Sequence, residues 1–185
     1  MKFLGSVRAY SAHEDPAAAA CNFISLVIGW NGPFYPVYLI ALAGRSIGAA
    51  ALLTMLATPC FLAIPWLARR SSCAGRLGLP LVGTLNTLWC TKLLGSATAM
   101  GLFLLPCIAL ATLLFRRRER GWLVLAVAVP LAAGLIPGAM FDPPLIALSP
   151  TASARVASLN IGSVATLTVL LTLQFAGLLR RLEIR

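Results

Sequence analysis

The chain has 185 residues, of which 59% are hydrophobic and only 11% charged, and its mean hydropathy is +0.90. A soluble domain carries about 25% charged residues, so this composition excludes an ordinary water-soluble domain. The net charge of +10 invites a nucleic-acid reading, which the placement of the charges then excludes.

Residues 1–16 form a short polar lead, ending in Glu14-Asp15-Pro16. That tripeptide predicts a helix start: acids favour the positive end of a helix, and proline is preorganised for its first turn. The lead is not a cleaved signal peptide. Polar residues Ser11 to Pro16 part Lys2 and Arg8 from the first apolar run, which exceeds the usual about 7–15 residues of such signals. Apolar runs then cover residues 17–43, 47–68, 77–94, 97–115, 121–140 and 156–179. A bilayer core takes about 20 apolar residues per helix. The runs lack the alternation of barrel strands, and backbone groups in lipid must be satisfied internally. The expected fold is therefore all-α: one polytopic bundle of six transmembrane helices over residues 17–185.

Between the runs, Gly44-Arg45-Ser46 predicts a tight turn and an antiparallel hairpin of spans 1 and 2. Ala68 to Arg76 and Arg116 to Arg120 read as basic loops, and Phe141 to Arg155 as the longest connection. Twelve of the fifteen basic residues fall at the N-terminus, in these two basic loops and at the C-terminus. Arg45, Lys92 and Arg155 sit in the alternate gaps. This is the positive-inside pattern. It predicts cytoplasmic N- and C-termini in a bacterial inner membrane, with anionic lipid headgroups as the partner of the basic excess and no nucleic acid.

Trp30-Asn31-Gly32-Pro33-Phe34-Tyr35-Pro36 lies at the centre of the first run. Pro33 and Pro36 each remove a backbone donor and clash one turn back. Non-helical backbone at this depth is tolerated only where protein or water surrounds it, so the segment predicts a kinked or unwound helix facing the bundle. Asn86 shares its depth in the third span, within a stripe of Thr84, Thr87 and Thr91. Asn160, Ser163 and Thr166 repeat the three-residue spacing in the sixth. Asn31, Gly32, Tyr35, Asn86, Thr87 and Asn160 are the candidate ligand-binding set, in a polar pocket between spans 1, 3 and 6. The same residues also fit helix–helix hydrogen bonding and a proline kink that shapes packing. Spans 3 and 6 both carry Leu-Asn and lack a central proline, the order of a 3+3 inverted repeat.

Catalytic chemistry is sparse. The acids Glu14, Asp15, Glu119, Asp142 and Glu183 all lie outside the runs, and His13 is the sole histidine. Paired carboxylates, a Ser-His arrangement, a nucleotide loop and a metal-ligand cluster are all lacking. Cys21, Cys60, Cys73, Cys90 and Cys107 make no C-x-x-C pair, and read as buried thiols. The expectation is a non-enzyme without cofactor or metal. His13-Glu14-Asp15 reads as a solvated helix cap or a small polar, pH-sensing cluster.

From Lys92 the chain reads KLLGSATAMGLFLLPCIALATLLFRRRER. A helix opened by small residues, an apolar stretch with a central proline and a basic turn resemble part of the six-helix membrane regions ahead of bacterial adenylyl cyclases and sensor histidine kinases. Those proteins continue into an effector domain, whereas no effector domain follows Arg185 here. The resemblance covers some 30 residues and carries over no functional residue. It implies a sensory module or an accessory subunit of a larger membrane complex, with a protein partner or a homo-oligomer. The alternative is a small-solute transporter or substrate-binding membrane subunit using the midplane polar set.

Overall fold

The computed structural model describes residues 2–183. Among them there is no strand; the chain is all helical. Helix α1 (Lys2–Ser11) precedes α2 (Pro16–Asn31), which passes through a 3-10 turn at Gly32–Phe34 into α3 (Tyr35–Ala43). A short α4 (Gly48–Ala51) and a 3-10 turn at Leu52–Met55 lead into α5 (Thr58–Arg70). Then come α6 (Ser72–Leu94), α7 (Leu104–Leu114), α8 (Arg120–Gly134) and α9 (Pro150–Glu183).

Three stretches are long and apolar enough to cross a membrane: Pro16–Ala43, Gly48–Arg70 and Pro150–Gly177. Met100–Leu114 and Arg120–Gly134 are apolar but shorter. At 1.5 Å per residue each 15-residue stretch extends about 22 Å, less than the about 30 Å hydrocarbon core. The predicted runs 97–115 and 121–140 shorten for identifiable reasons. Ala99 takes a left-handed conformation (φ 57°) and separates two 3-10 turns, while Pro137 ends the helical stretch after α8. Large apolar side chains are exposed along the helices and at the turns between them, among them Trp30, Leu56, Leu85, Leu135 and Leu173. Such a surface is stable against lipid rather than water.

Two predicted boundaries move. The loop expected over Ala68 to Arg76 shrinks to Ser71, whose hydroxyl caps the Ala74 N–H at 3.3 Å and starts α6. Arg76 thus becomes a helical residue. Likewise Ser149 caps Ala152 and α9 starts at Pro150, before the predicted 156. The lead is also partly helical, because α1 docks: Asn22 Nδ2 donates to Ser11 O at 3.2 Å and the Tyr10 hydroxyl to Leu62 O at 3.1 Å.

α6 is the central strut, packed on α2, α5, α7 and α8, while α9 lies against α3 and α7. Gly29 lies against Leu62 and Gly32 against Thr58, which makes α2–α3 antiparallel to α5. Gly75 against Ala68 and Gly78 against Ile64 do the same for α5 and α6. At Gly75 an added Cβ would come within 2.7 Å of the Ala68 Cα, so only glycine allows this crossing. Lys92 and Leu93, near the C-terminus of α6, offer carbonyls that the Leu145 and Ile146 N–H groups cap at 3.1 and 2.8 Å. The Lys92 ammonium donates to the Phe141 and Pro143 carbonyls of the same connection.

The apolar core is divided. One cluster, including Cys21, Ile24, Phe61, Leu79, Leu114 and Phe175, lies toward the end that holds Arg76 and Arg116, here the basic end. The other, including Leu39, Ala51, Leu93, Met100 and Val156, lies toward the end that holds Lys92.

Candidate functional site

Between the two clusters opens a cavity of about 800 Å³. Its walls come from α2–α3, α5, α6, α7 and α9, and Ile24, Phe61 and Leu110 supply much of its apolar lining. Of the six predicted site residues, Asn31, Gly32, Tyr35, Asn86 and Thr87 line it. The segment around Asn31 is not a loop. It is a single 3-10 turn that keeps the first run helical from Pro16 to Ala43. Gly32 is needed there, since a Cβ would strike the Thr58 hydroxyl of the facing helix.

Asn160 is placed differently. It is fully buried, outside the lining, and its amide is fully engaged. Its Nδ2 donates to Thr98 O at 2.8 Å and to Met100 Sδ at 3.0 Å, and its Oδ1 accepts the Tyr35 hydroxyl at 2.8 Å. This pair ties α3 to α9. Toward the basic end Ile24 and Leu171 close the cavity, as members of the cluster there. The exposed residues Trp30, Asn31 and Tyr38 on one side, and Ser158, Gly162 and Thr166 on the other, form an open flank.

The two midplane amides are underused. Among the described residues the Asn31 side chain makes no hydrogen bond, and Asn86 only accepts the Cys90 thiol at 3.7 Å. Thr84, Thr87 and Thr91 each bond the carbonyl four residues back, and Thr84 also meets the Cys107 thiol of α7. On α9, Ser163 and Thr166 also bond the carbonyl four residues back. No lining residue is Asp, Glu, Lys, Arg or His. Among the described residues no group of three metal-ligating side chains occurs. The cavity offers hydrogen bonds, the thiols of Cys90 and Cys107 and apolar contact, but no charged side chain.

The ionic chemistry lies at the basic end, in a cluster that the charge pattern did not reveal. Arg76 is 3% exposed. Its guanidinium grips Glu119 through two bonds of 2.8 and 2.6 Å, donates to Leu114 O at 2.8 Å, and stands 3.6 Å from Asp15. Ser72 donates to Asp15 at 2.6 Å, and Arg116 approaches Asp15 at 3.5 Å. Two cations thus face two carboxylates drawn from the lead, the α5–α6 junction and the α7–α8 turn. The Arg76 guanidinium, aided by the Arg116 N–H, holds Glu119 down at about 2 despite some burial. Burial pushes Asp15 up, but the Ser72 hydroxyl, the Ala17 N–H and the two arginines outweigh it and leave its carboxyl below the ordinary value. His13 joins the cluster's rim. Its Nδ1 accepts the Asp15 N–H at 2.9 Å, and its Nε2 lies 3.1 Å from Ala68 O. With the hydrogen on Nε2 both contacts are hydrogen bonds, which selects that tautomer. The acid inside RRRER was the available signal: a lone carboxylate in a basic turn needs a partner, and Arg76 is the buried one.

No protein-family model matches this chain, and no curated protein or solved structure does.

Proposed function

We propose that this chain is a non-enzymatic, six-span integral membrane module of a bacterial inner membrane, with both termini in the cytoplasm, acting as a sensor or as an accessory subunit of a larger membrane complex. The observation that carries this reading is the central cavity, which has unmet amide hydrogen bonds and no ionisable lining carboxylate, histidine or cation. Its hydrogen-bonding groups and apolar walls suit recognition of a molecule, and no carboxylate, histidine or lysine stands in the lining to activate its thiols and hydroxyls. Its walls include α9, whose far end reaches the basic end, so occupancy and the cytoplasmic face share one element. The basic end meets anionic headgroups and a protein partner or a second copy.

A transporter is the second reading, favoured by the 3-10 break at Gly32–Phe34 beside the cavity. The basic-end packing opposes it, because buried residues close the cavity toward that end. The test is extraction in mild detergent with mass spectrometry of co-purifying proteins and small molecules, paired with flux measurements in liposomes. A stoichiometric protein partner, or a defined homo-oligomer, with no flux supports the module. A lone monomer that moves solute overturns it.

A further inference from the structure

We propose that the cavity binds one neutral single-chain amphiphile, with a carbonyl-and-hydroxyl head, that enters sideways from the bilayer. The inference deepens the sensory reading above and rests on its placement of the cavity within the membrane.

Three observations converge on this class. First, the flank between Trp30, Asn31 and Tyr38 on α2–α3 and Ser158, Gly162 and Thr166 on α9 is exposed, while buried packing closes the cavity toward the basic end. Access at mid-depth is access from hydrocarbon, so the ligand partitions into lipid first. Second, Asn31 and Asn86 project amides into this space with their N–H donors unused among the described residues. A bare amide in hydrocarbon is unfavourable. A pure alkane would leave both unmet, whereas a head with a carbonyl acceptor and a hydroxyl donor satisfies them. Third, none of the lining residues is Asp, Glu, Lys, Arg or His. A charged head would be desolvated there without a counter-ion, so the head is neutral. The volume of about 800 Å³ lies within the about 300–1,000 Å³ of ordinary ligand cavities and suits one chain rather than a two-chain phospholipid. Its Ile, Val, Leu and Phe lining takes the alkyl body. Thr166 and Ser163 already bond their own helix, so Asn31 and Asn86 set the position of the head.

The test uses the full chain in lipid nanodiscs and a photoreactive, clickable monoacylglycerol. The matching lysophosphatidylglycerol, which carries a charged head on the same chain, is the control. Crosslinked peptides are mapped by mass spectrometry for wild type, Asn31→Leu/Asn86→Leu and the occluding Thr166→Phe. Tm is measured for each, and Leu85→Ala, on exposed surface away from the lining, reports ordinary lipid contact. The expected result is wild-type labelling concentrated on α2–α3 and the Ser158–Leu170 face of α9. Labelling by the neutral probe should exceed the charged one at least 10-fold, and fall at least 10-fold in both cavity variants at near-unchanged Tm. Equal labelling by both probes overturns the neutral-head assignment. Labelling spread evenly over the lipid-facing surface, or unchanged in both variants, overturns the site. Should either variant fail to fold, the crosslink map and the charge comparison in wild type decide. These outcomes are separate from the co-purification and flux tests of the module itself, so either reading can fail alone.

Discussion

Replacing Glu119 by Gln should loosen the basic end by a calculable amount. Wild-type Glu119 accepts two charge-assisted bonds from Arg76, at 2.8 and 2.6 Å, and one from the Arg116 N–H at 3.0 Å. Gln retains one acceptor and turns an NH₂ group toward a guanidinium that is also only a donor. Breaking a buried pair from one side costs about 3–5 kcal/mol. The Glu119 side chain is 25% exposed, and Asp15 remains beside Arg76, so about 2–3 kcal/mol is expected. The pH dependence follows from the same pair. A carboxylate held at about 2 against an ordinary 4.5 contributes stability that is complete above about pH 4.5 and fades as pH falls through 2. Asp15, also held low, acts in the same direction. The gap sets a ceiling of about 3 kcal/mol for Glu119, and water at its exposed edge lowers this to about 2. The assay is unfolding of the purified protein by SDS titration, from pH 6 down to 3. Wild type should weaken on acidification more steeply than Glu119→Gln. An Arg76→Met/Glu119→Leu cycle should show a coupling of about 2 kcal/mol, with the double variant more stable than either single one. Parallel acid slopes for wild type and Glu119→Gln, together with additive single substitutions, would refute an ionic lock.

Asn160→Leu should cost about 1–2 kcal/mol by the same unfolding assay, and Tyr35→Phe about 0.6, since the first removes three contacts and the second the hydroxyl's two. Gly32→Ala should destabilise by clashing with the Thr58 hydroxyl, and Thr58→Ala should recover most of that loss in the double variant. A Gly75→Ala chain should yield little folded protein by size-exclusion chromatography, because its Cβ meets Ala68 backbone rather than a yielding side chain.

Helical character and the membrane class were legible because both are properties of composition and run length. The broken first span was legible from Pro33 and Pro36. Its outcome, a 3-10 turn rather than an unwound loop, depended on Gly32 fitting against Thr58, a contact 26 positions away that no local pattern encodes. The gathering of Asn31, Asn86 and Thr87 around one space followed from depth alone, since residues at equal depth in a bundle meet if their helices do. Asn160 belonged to the same polar pattern but was taken up by Thr98, Met100 and Tyr35. Arg76 was hidden by its own company. Among many arginines that mark orientation, only tertiary packing singles out the one that leaves water.

Helix α9 runs from Pro150 to Glu183 without interruption, 34 residues or about 51 Å at 1.5 Å per residue. Its neighbours in the bundle are broken by 3-10 turns and can bend locally; α9 has no such joint. It is held near one end by Asn160 and farther along by Leu171 and Phe175, with the cavity wall between these two holds. A beam fixed in this way behaves as a lever. A tilt of about 5° at the cavity would swing the end about 25 Å beyond it by about 2 Å, the scale of helix shifts that operate protein switches. Were filling of the cleft to tilt α9, the change would reach the basic end as a displacement, with no need for a second moving part.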